Sequence, residues 1–341
     1  MKRGVKTFTF GVTSALILGL VLSERAAPTS FGAALSLAAH HATDGGGGFA
    51  TSPVAGDGFQ KGAEREMRAL PSPVGFRESE GRGLLIRAWV NGVGPFTFAL
   101  DTGAGASILS PRVAGAARVE VEAGGRGIEI GGFSGASVAG GRKAFARSVA
   151  VGFRDNLLPA GGLVIVAPGL PTDIDGILDP TEAFSPLGYV IDMPRGELRV
   201  FDPRSTPLRA GDTPPGGAVV RWLSDGSSRR PFVMLAEGRR ALLDTGSGFG
   251  LVVNEAAARS LGIHAGGGRE RGGTRDLAGG RVASRRVRPS TVSLGPLILR
   301  GVPTDLLLRT EKGAPVLLGR DALRPFQLTF DPLNRLIMLR P

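Results

Sequence analysis

The chain has 341 residues, 42% hydrophobic and 21% charged, with 54 Gly, 24 Pro and no cysteine. That composition describes a globular, turn-rich chain with few long helices, and it excludes disulfides, thiol nucleophiles and cysteine-held metal. The formal net charge is +11, but the arginines, among them Arg229, Arg230, Arg285, Arg286 and Arg288, have no aromatic residues between them; they read as solvated surface, or as attraction to anionic cell surfaces, and not as a nucleic-acid groove.

Lys2, Arg3 and Lys6 precede an uncharged stretch from Thr7 to Ser23 whose core runs from Ala15 to Leu22. This is the charge and hydropathy pattern of an export signal. The stretch falls short of a comfortable membrane span of about 20 residues, and no small-x-small cleavage site follows between Ser23 and Ala26. Residues 1–25 are therefore read as a signal peptide or a membrane anchor, with membrane attachment through residues 7–23 in the second case. Either way the basic flank stays inside and the remainder is exported, to the periplasm, the cell surface or the medium. Residues 26–82 are rich in Ala, Gly, Ser and Pro, with Gly45 to Gly48 consecutive. They predict a flexible tether with a short helix around Lys61 to Leu70.

From Gly83 the apolar runs shorten and alternate with turn residues. Leu84 to Val90 and Pro95 to Leu100 flank Asn91 and Gly92, a hairpin signal that feeds a strand into Asp101-Thr102-Gly103. Ile108 and Leu109 make a second apolar patch, and Ser110 with Pro111 opens a short helix. The glycine-dense stretch from Gly124 to Gly141 predicts hairpins or loops. Strands follow at Ser148 to Phe153 and Leu163 to Ala167, then Ile177-Leu178-Asp179, then a hairpin from Tyr189 to Phe201. Residues 204–217 are Pro- and Gly-rich and predict a linker.

The same plan then repeats. Phe232 to Ala236 and Arg239 to Leu243 flank Glu237 and Gly238 and lead into Asp244-Thr245-Gly246. An apolar patch at Leu251 to Val253, a helix capped by Asn254, strands at Pro289 to Leu299 and Val302 to Leu308, the stretch Val316 to Leu323 and a hairpin from Phe326 to Leu339 complete it. About 0.1 Asp-Thr-Gly triplets are expected by chance in such a chain. Two in matching surroundings point to a duplicated lobe, residues 83–203 and 218–341, with one carboxylate in each.

A carboxylate at a strand end on a glycine turn is held by backbone, which suits a reactive group. Two such turns facing each other across a pseudo-twofold axis bring the carboxyls so close that one proton is shared, which supplies a base and an acid together. A water between them is then deprotonated by one as it attacks a carbonyl that the other polarises. Thr102 and Thr245 carry hydroxyls for bonds to the opposite loop, and Gly103 and Gly246 allow the turn. The residue after each triplet differs, Ala104 against Ser247. A Ser247 hydroxyl beside Asp244 predicts that Asp244 carries the charge and Asp101 the proton.

Blander readings exist for each feature. Asp101 and Asp244 can be turn-forming Asx residues. The glycines after the triplets do not follow the dinucleotide-loop spacing, Asp173, Asp175 and Asp179 lack calcium-loop spacing, and His264 alone in the body makes a serine triad or metal centre improbable.

The triplet after a hairpin, followed later by two apolar residues and a glycine ahead of a short helix, resembles the retropepsin-like aspartic proteases in their single-chain, duplicated-lobe form. Val316 to Leu323 is particularly similar to that family's second signature. The resemblance spans roughly residues 83–341. It implies an all-β, bilobal, pseudo-twofold monomer that binds peptide or protein in extended form under hairpin flaps, near residues 124–141 and 268–282, without metal or cofactor. It makes Asp101 and Asp244 the catalytic pair, supported by Thr102, Gly103, Thr245, Gly246 and Ser247. Asp179 departs from the pattern, which has glycine there. The activity implied is aspartic endopeptidase; the rival is a catalytically silent peptide-binding module on the same scaffold.

Overall fold

Asn91 and Gly92 both take left-handed backbone, with φ of 50° and 75°. This turns strand Gly83–Val90 back onto Val93–Leu100 as a tight hairpin. The second strand buries Phe98 and Leu100 in the main core, while Ala99 faces a second cluster with Ile108, Ile165 and Ile177. Both faces are covered, so the strand reads as a continuous apolar run with little alternation.

In this computed structural model the described residues are 16–17, 21–23 and 70–341, except 125–126, 133–136, 160–161, 226–227, 265, 272–274, 277–280 and 309–314. The fold is all-β with a few short helices. In the first repeat the strand order is Val149–Val151, Gly83–Val90, Val93–Leu100, Gly176–Leu178, Ile108–Leu109, Gly162–Val166, Ser137–Ala146, Ile128–Gly131. In the second it is Leu223–Asp225, Ser228–Met234, Arg240–Asp244, Val316–Gly319, Leu251–Val253, Leu297–Leu307, Ser284–Leu294, Arg269–Arg271. From the first hairpin strand onward the two orders correspond; the outermost strands differ, since Val149–Val151 follows the triplet of its repeat and Leu223–Asp225 precedes that of the other. In each, the strands flanking the triplet do not pair with each other. A strand from much later inserts between them, parallel to the one before the triplet and antiparallel to the one after it.

A six-stranded sheet carries the terminal hairpins of both repeats, in the order Ala218–Arg221, Leu336–Arg340, Gln327–Asp331, Gly188–Asp192, Glu197–Phe201, Val74–Gly75. Tyr189 and Phe330 are partners in register across it and stack at 4.6 Å, with Trp222 edge-on to Phe330 at 5.9 Å. Such a ring pair contributes about 0.5–1.5 kcal/mol beyond the area it buries. Both rings belong to a single core cluster that also holds Leu100, Leu243 and Leu318. Leu70–Pro341 lies within one compact unit.

Two expectations change. Residues 70–82, read as the end of the tether, contain strands Val74–Gly75 and Arg77–Ser79, which pair with Glu197–Phe201 and Gly83–Val90. The long hairpin of the second repeat turns at Gly295, between Ser284–Leu294 and Leu297–Leu307, and Gly301 lies inside the second strand at φ 66° instead of breaking it. Of residues 1–25, expected as signal or anchor, only Leu16–Ile17 and Val21–Ser23 are described, each as a short strand. Residues 26–69, including most of the expected helix near Lys61, lie outside the described residues. Among the described residues no helix is long and apolar enough to cross a membrane.

Candidate active site

Each triplet forms a turn closed on its own aspartate. The Gly103 amide donates to Asp101 Oδ1 at 2.8 Å, and the Gly246 amide to Asp244 Oδ1 at 2.8 Å. The second turn has one donor more, the Ser247 amide, at 3.1 Å from the same oxygen. Asp101 donates its amide to the Leu178 carbonyl at 3.0 Å, and Asp244 sits opposite Gly319 in the parallel register. The inserted strands thus fix where both carboxyls stand.

The threonines lock the two turns together. The Thr102 amide donates to Thr245 Oγ1 and the Thr245 amide to Thr102 Oγ1, both at 3.1 Å. Each hydroxyl donates onward, Thr102 Oγ1 to the Leu243 carbonyl at 2.7 Å and Thr245 Oγ1 to the Leu100 carbonyl at 3.2 Å. All four bonds are buried, where leaving a donor or acceptor unpaired costs about 1–3 kcal/mol. The lock presses Gly103 against the opposite carboxyl. A Cβ on Gly103 would lie 2.7 Å from Asp244 Cγ and 2.9 Å from its Oδ1.

Asp101 and Asp244 are both 0% exposed, and their Oδ2 atoms are buried without a donor. Two ionised carboxylates cannot satisfy each other. One proton on the pair supplies the missing donor and closes a hydrogen bond between the two side chains. Burial pushes Asp101 well above the usual carboxylate range, and the Asp244 charge and, more weakly, Asp179 lift it further. Burial also raises Asp244, to about 6, but the hydrogen bond from Asp101, the Ser247 and Gly246 amides and the Arg320 cation hold it back. The extra Ser247 amide and the Arg320 cation favour charge on Asp244 over Asp101. The pair offers a base and an acid side by side at mildly acidic pH.

The sequence expectation gave the Ser247 hydroxyl this role, but the bond to Asp244 comes from another atom. Ser247 acts through its amide, while its hydroxyl accepts from the Phe249 amide at 3.4 Å. Asp179, in the place of Gly319, caps helix Pro180–Ala183 by accepting from the Thr181 amide at 2.9 Å, with φ at −82°. Left-handed backbone is not needed there. Glycine at 319 is a matter of space, since a Cβ would meet the Phe249 carbonyl oxygen at 2.3 Å. Asp173 and Asp175 pair with Arg82 and Arg112, and His264 is exposed. The hairpins expected as flaps have their strands at Ile128–Gly131 with Ser137–Ala146 and at Arg269–Arg271 with Ser284–Leu294, and much of their tips lies outside the described residues.

Residues 237–322 match the aspartyl protease family. The aspartyl protease span includes Asp244, Thr245, Gly246 and Ser247, and it extends through the Val316–Gly319 strand to Ala322. Asp101 lies outside it, in a repeat with the same triplet and the same strand order around it. No curated protein matches the chain. Sequence reasoning missed two residues beside the second turn, Arg320 and Glu78. The first was legible as a charge immediately after the apolar-apolar-glycine stretch. The second had no local signal, because its partner is near the far end of the chain.

Proposed function

We propose that the chain is an aspartic endopeptidase in which Asp101 and Asp244 activate one water molecule. The observation that carries this reading is the reciprocal Thr102–Thr245 lock, which seats two buried carboxyls against each other from two repeats. Asp244 takes a proton from water as the water oxygen bonds to the peptide carbonyl carbon, and Asp101 donates its proton to the carbonyl oxygen. The tetrahedral gem-diol then loses its amine as the C–N bond breaks, with the proton held by Asp244 passing to the leaving nitrogen and a hydroxyl proton returning to Asp101 as the carbonyl re-forms. Neither metal nor cofactor enters these steps. The two repeats act as the lobes of a bilobal monomer, with the peptide extended between them. The enzyme works outside the cytoplasm, delivered by the N-terminal signal or held by it as an anchor.

One observation favours a catalytically silent peptide-binding module. Both aspartates are fully buried, so a substrate reaches them only when surrounding loops move. Incubating the full chain with a mixed peptide library from pH 3 to 8, with and without a statine-type transition-state mimic, separates the readings. Cleavage that the mimic suppresses is the expected result; peptide binding with no cleavage at any pH contradicts it.

A further inference from the structure

Beside the second triplet an ion pair ties the catalytic turn to a strand ahead of the first repeat. Arg320 opens helix Arg320–Leu323 and is 3% exposed. Its Nη1 donates to the carbonyls of Thr245 at 2.7 Å and Gly246 at 2.8 Å, and its Nε to Glu78 Oε1 at 3.3 Å. The guanidinium is confined by glycines of both repeats. A Cβ on Gly83 would lie 3.3 Å from Nη1, and one on Gly248 3.1 Å from Nη2. Glu78 sits on strand Arg77–Ser79, opposite Leu84 of the first repeat, and also accepts from Arg324 Nη2 at 2.7 Å.

A buried guanidinium needs an anion or several acceptors; this one takes two carbonyls of the turn that holds Asp244 and one carboxylate from elsewhere. The charged groups around it are few. Asp244 faces Asp101 and Arg320, Asp101 also faces Asp179, Glu78 faces Arg320 and Arg324, and Arg324 also faces Asp321 at 3.5 Å.

We propose that Arg320 and Glu78 are positioning residues for the aspartate pair: Arg320 fixes the second turn and favours charge on Asp244, and Glu78 sets how much of that cation the pair feels. Only the kinetic half of this rests on the peptidase reading. The segment before the first repeat thereby becomes part of the machinery.

The test is a titration of full-length chain carrying 13C-labelled aspartate side chains, with the acid limb of peptide cleavage measured alongside. In Arg320→Met the lower ionisation of the pair moves up by about one pH unit, because the favouring cation is gone. In Glu78→Gln it moves down by about 0.3 pH unit, because that cation is no longer offset. Arg320→Lys leaves it near the wild-type position. Opposite signs are the signature, since general loosening of the fold moves both variants the same way. The proposal is overturned if both variants shift in one direction or neither moves. Should Arg320→Met fail to fold, an unmoved ionisation in Glu78→Gln overturns it alone, as that side chain is partly exposed. Titration shifts in a chain that cleaves nothing would keep the pairing and remove the peptidase reading. Cleavage with unmoved titrations would do the reverse.

Discussion

Gly103 has no side chain because the Asp244 carboxyl occupies the space one would fill. With a Cβ 2.7 Å from Asp244 Cγ, Gly103→Ala is expected to push the carboxyls out of register. It should lower peptide cleavage by about 100-fold or more and stability by about 1–3 kcal/mol, read by cleavage rate and thermal melting. Ser247→Ala keeps the amide that bonds Asp244, so its acid limb should stay within about 0.3 pH unit of wild type. Three buried acids have native proton affinities above their ordinary value of 3.8: Asp101 well above it, Asp244 at about 6 and Asp179 at about 7. Raised acids bind more protons folded than unfolded, so the contributions of Asp244 and Asp179 are complete below about pH 4 and are lost as pH rises through about 6 and 7. Melting temperature should therefore fall between pH 4 and 7, and Asp179→Asn should flatten that fall. A slope identical to wild type in a melting series would contradict the placement of the Asp179 proton.

Locking two strand ends through threonine hydroxyls makes the turns interdependent. Thr102→Val and Thr245→Val should each cost about 1–3 kcal/mol, since each leaves a buried amide and a carbonyl unpaired, while the double variant should cost less than the sum; denaturant titration of the three variants measures this. The hairpins and triplets were legible because their signals are local. Asn91 with Gly92 fixes a turn, and apolar runs ending in Asp-Thr-Gly mark where strands stop. The inserted strands Gly176–Leu178 and Val316–Gly319 could be named but not paired, because parallel pairing with a strand far upstream leaves no mark in either segment. Arg77–Ser79 was read as tether for a related reason. Arg77 and Glu78 are charged and exposed, and the strand's place comes from pairing with Gly83–Leu85 and from the Glu78–Arg320 contact. Gly301 signalled a break in sequence, yet the strand absorbs its left-handed backbone between two shorter stretches of pairing.

Both repeats contribute terminal hairpins to one six-stranded sheet, so the chain ends of each help to hold the other. That shared sheet, with Tyr189 stacked on Phe330, sets the halves close enough for the threonine lock to form. The duplication was legible from the repeated triplet, whereas the shared strand order around each triplet became visible only in three dimensions. The aspartyl protease match falls in the second repeat, where apolar-apolar-glycine is intact, and the first repeat carries Asp179 at that place. Cleavage of a peptide library by the full chain, beside Asp101→Asn and Asp244→Asn with their melting temperatures, is the most direct measurement of whether the two acids work as one site. Both variants should fold like wild type and lose cleavage by about 1,000-fold or more; either one retaining more than about a tenth of the wild-type rate would contradict a shared catalytic pair.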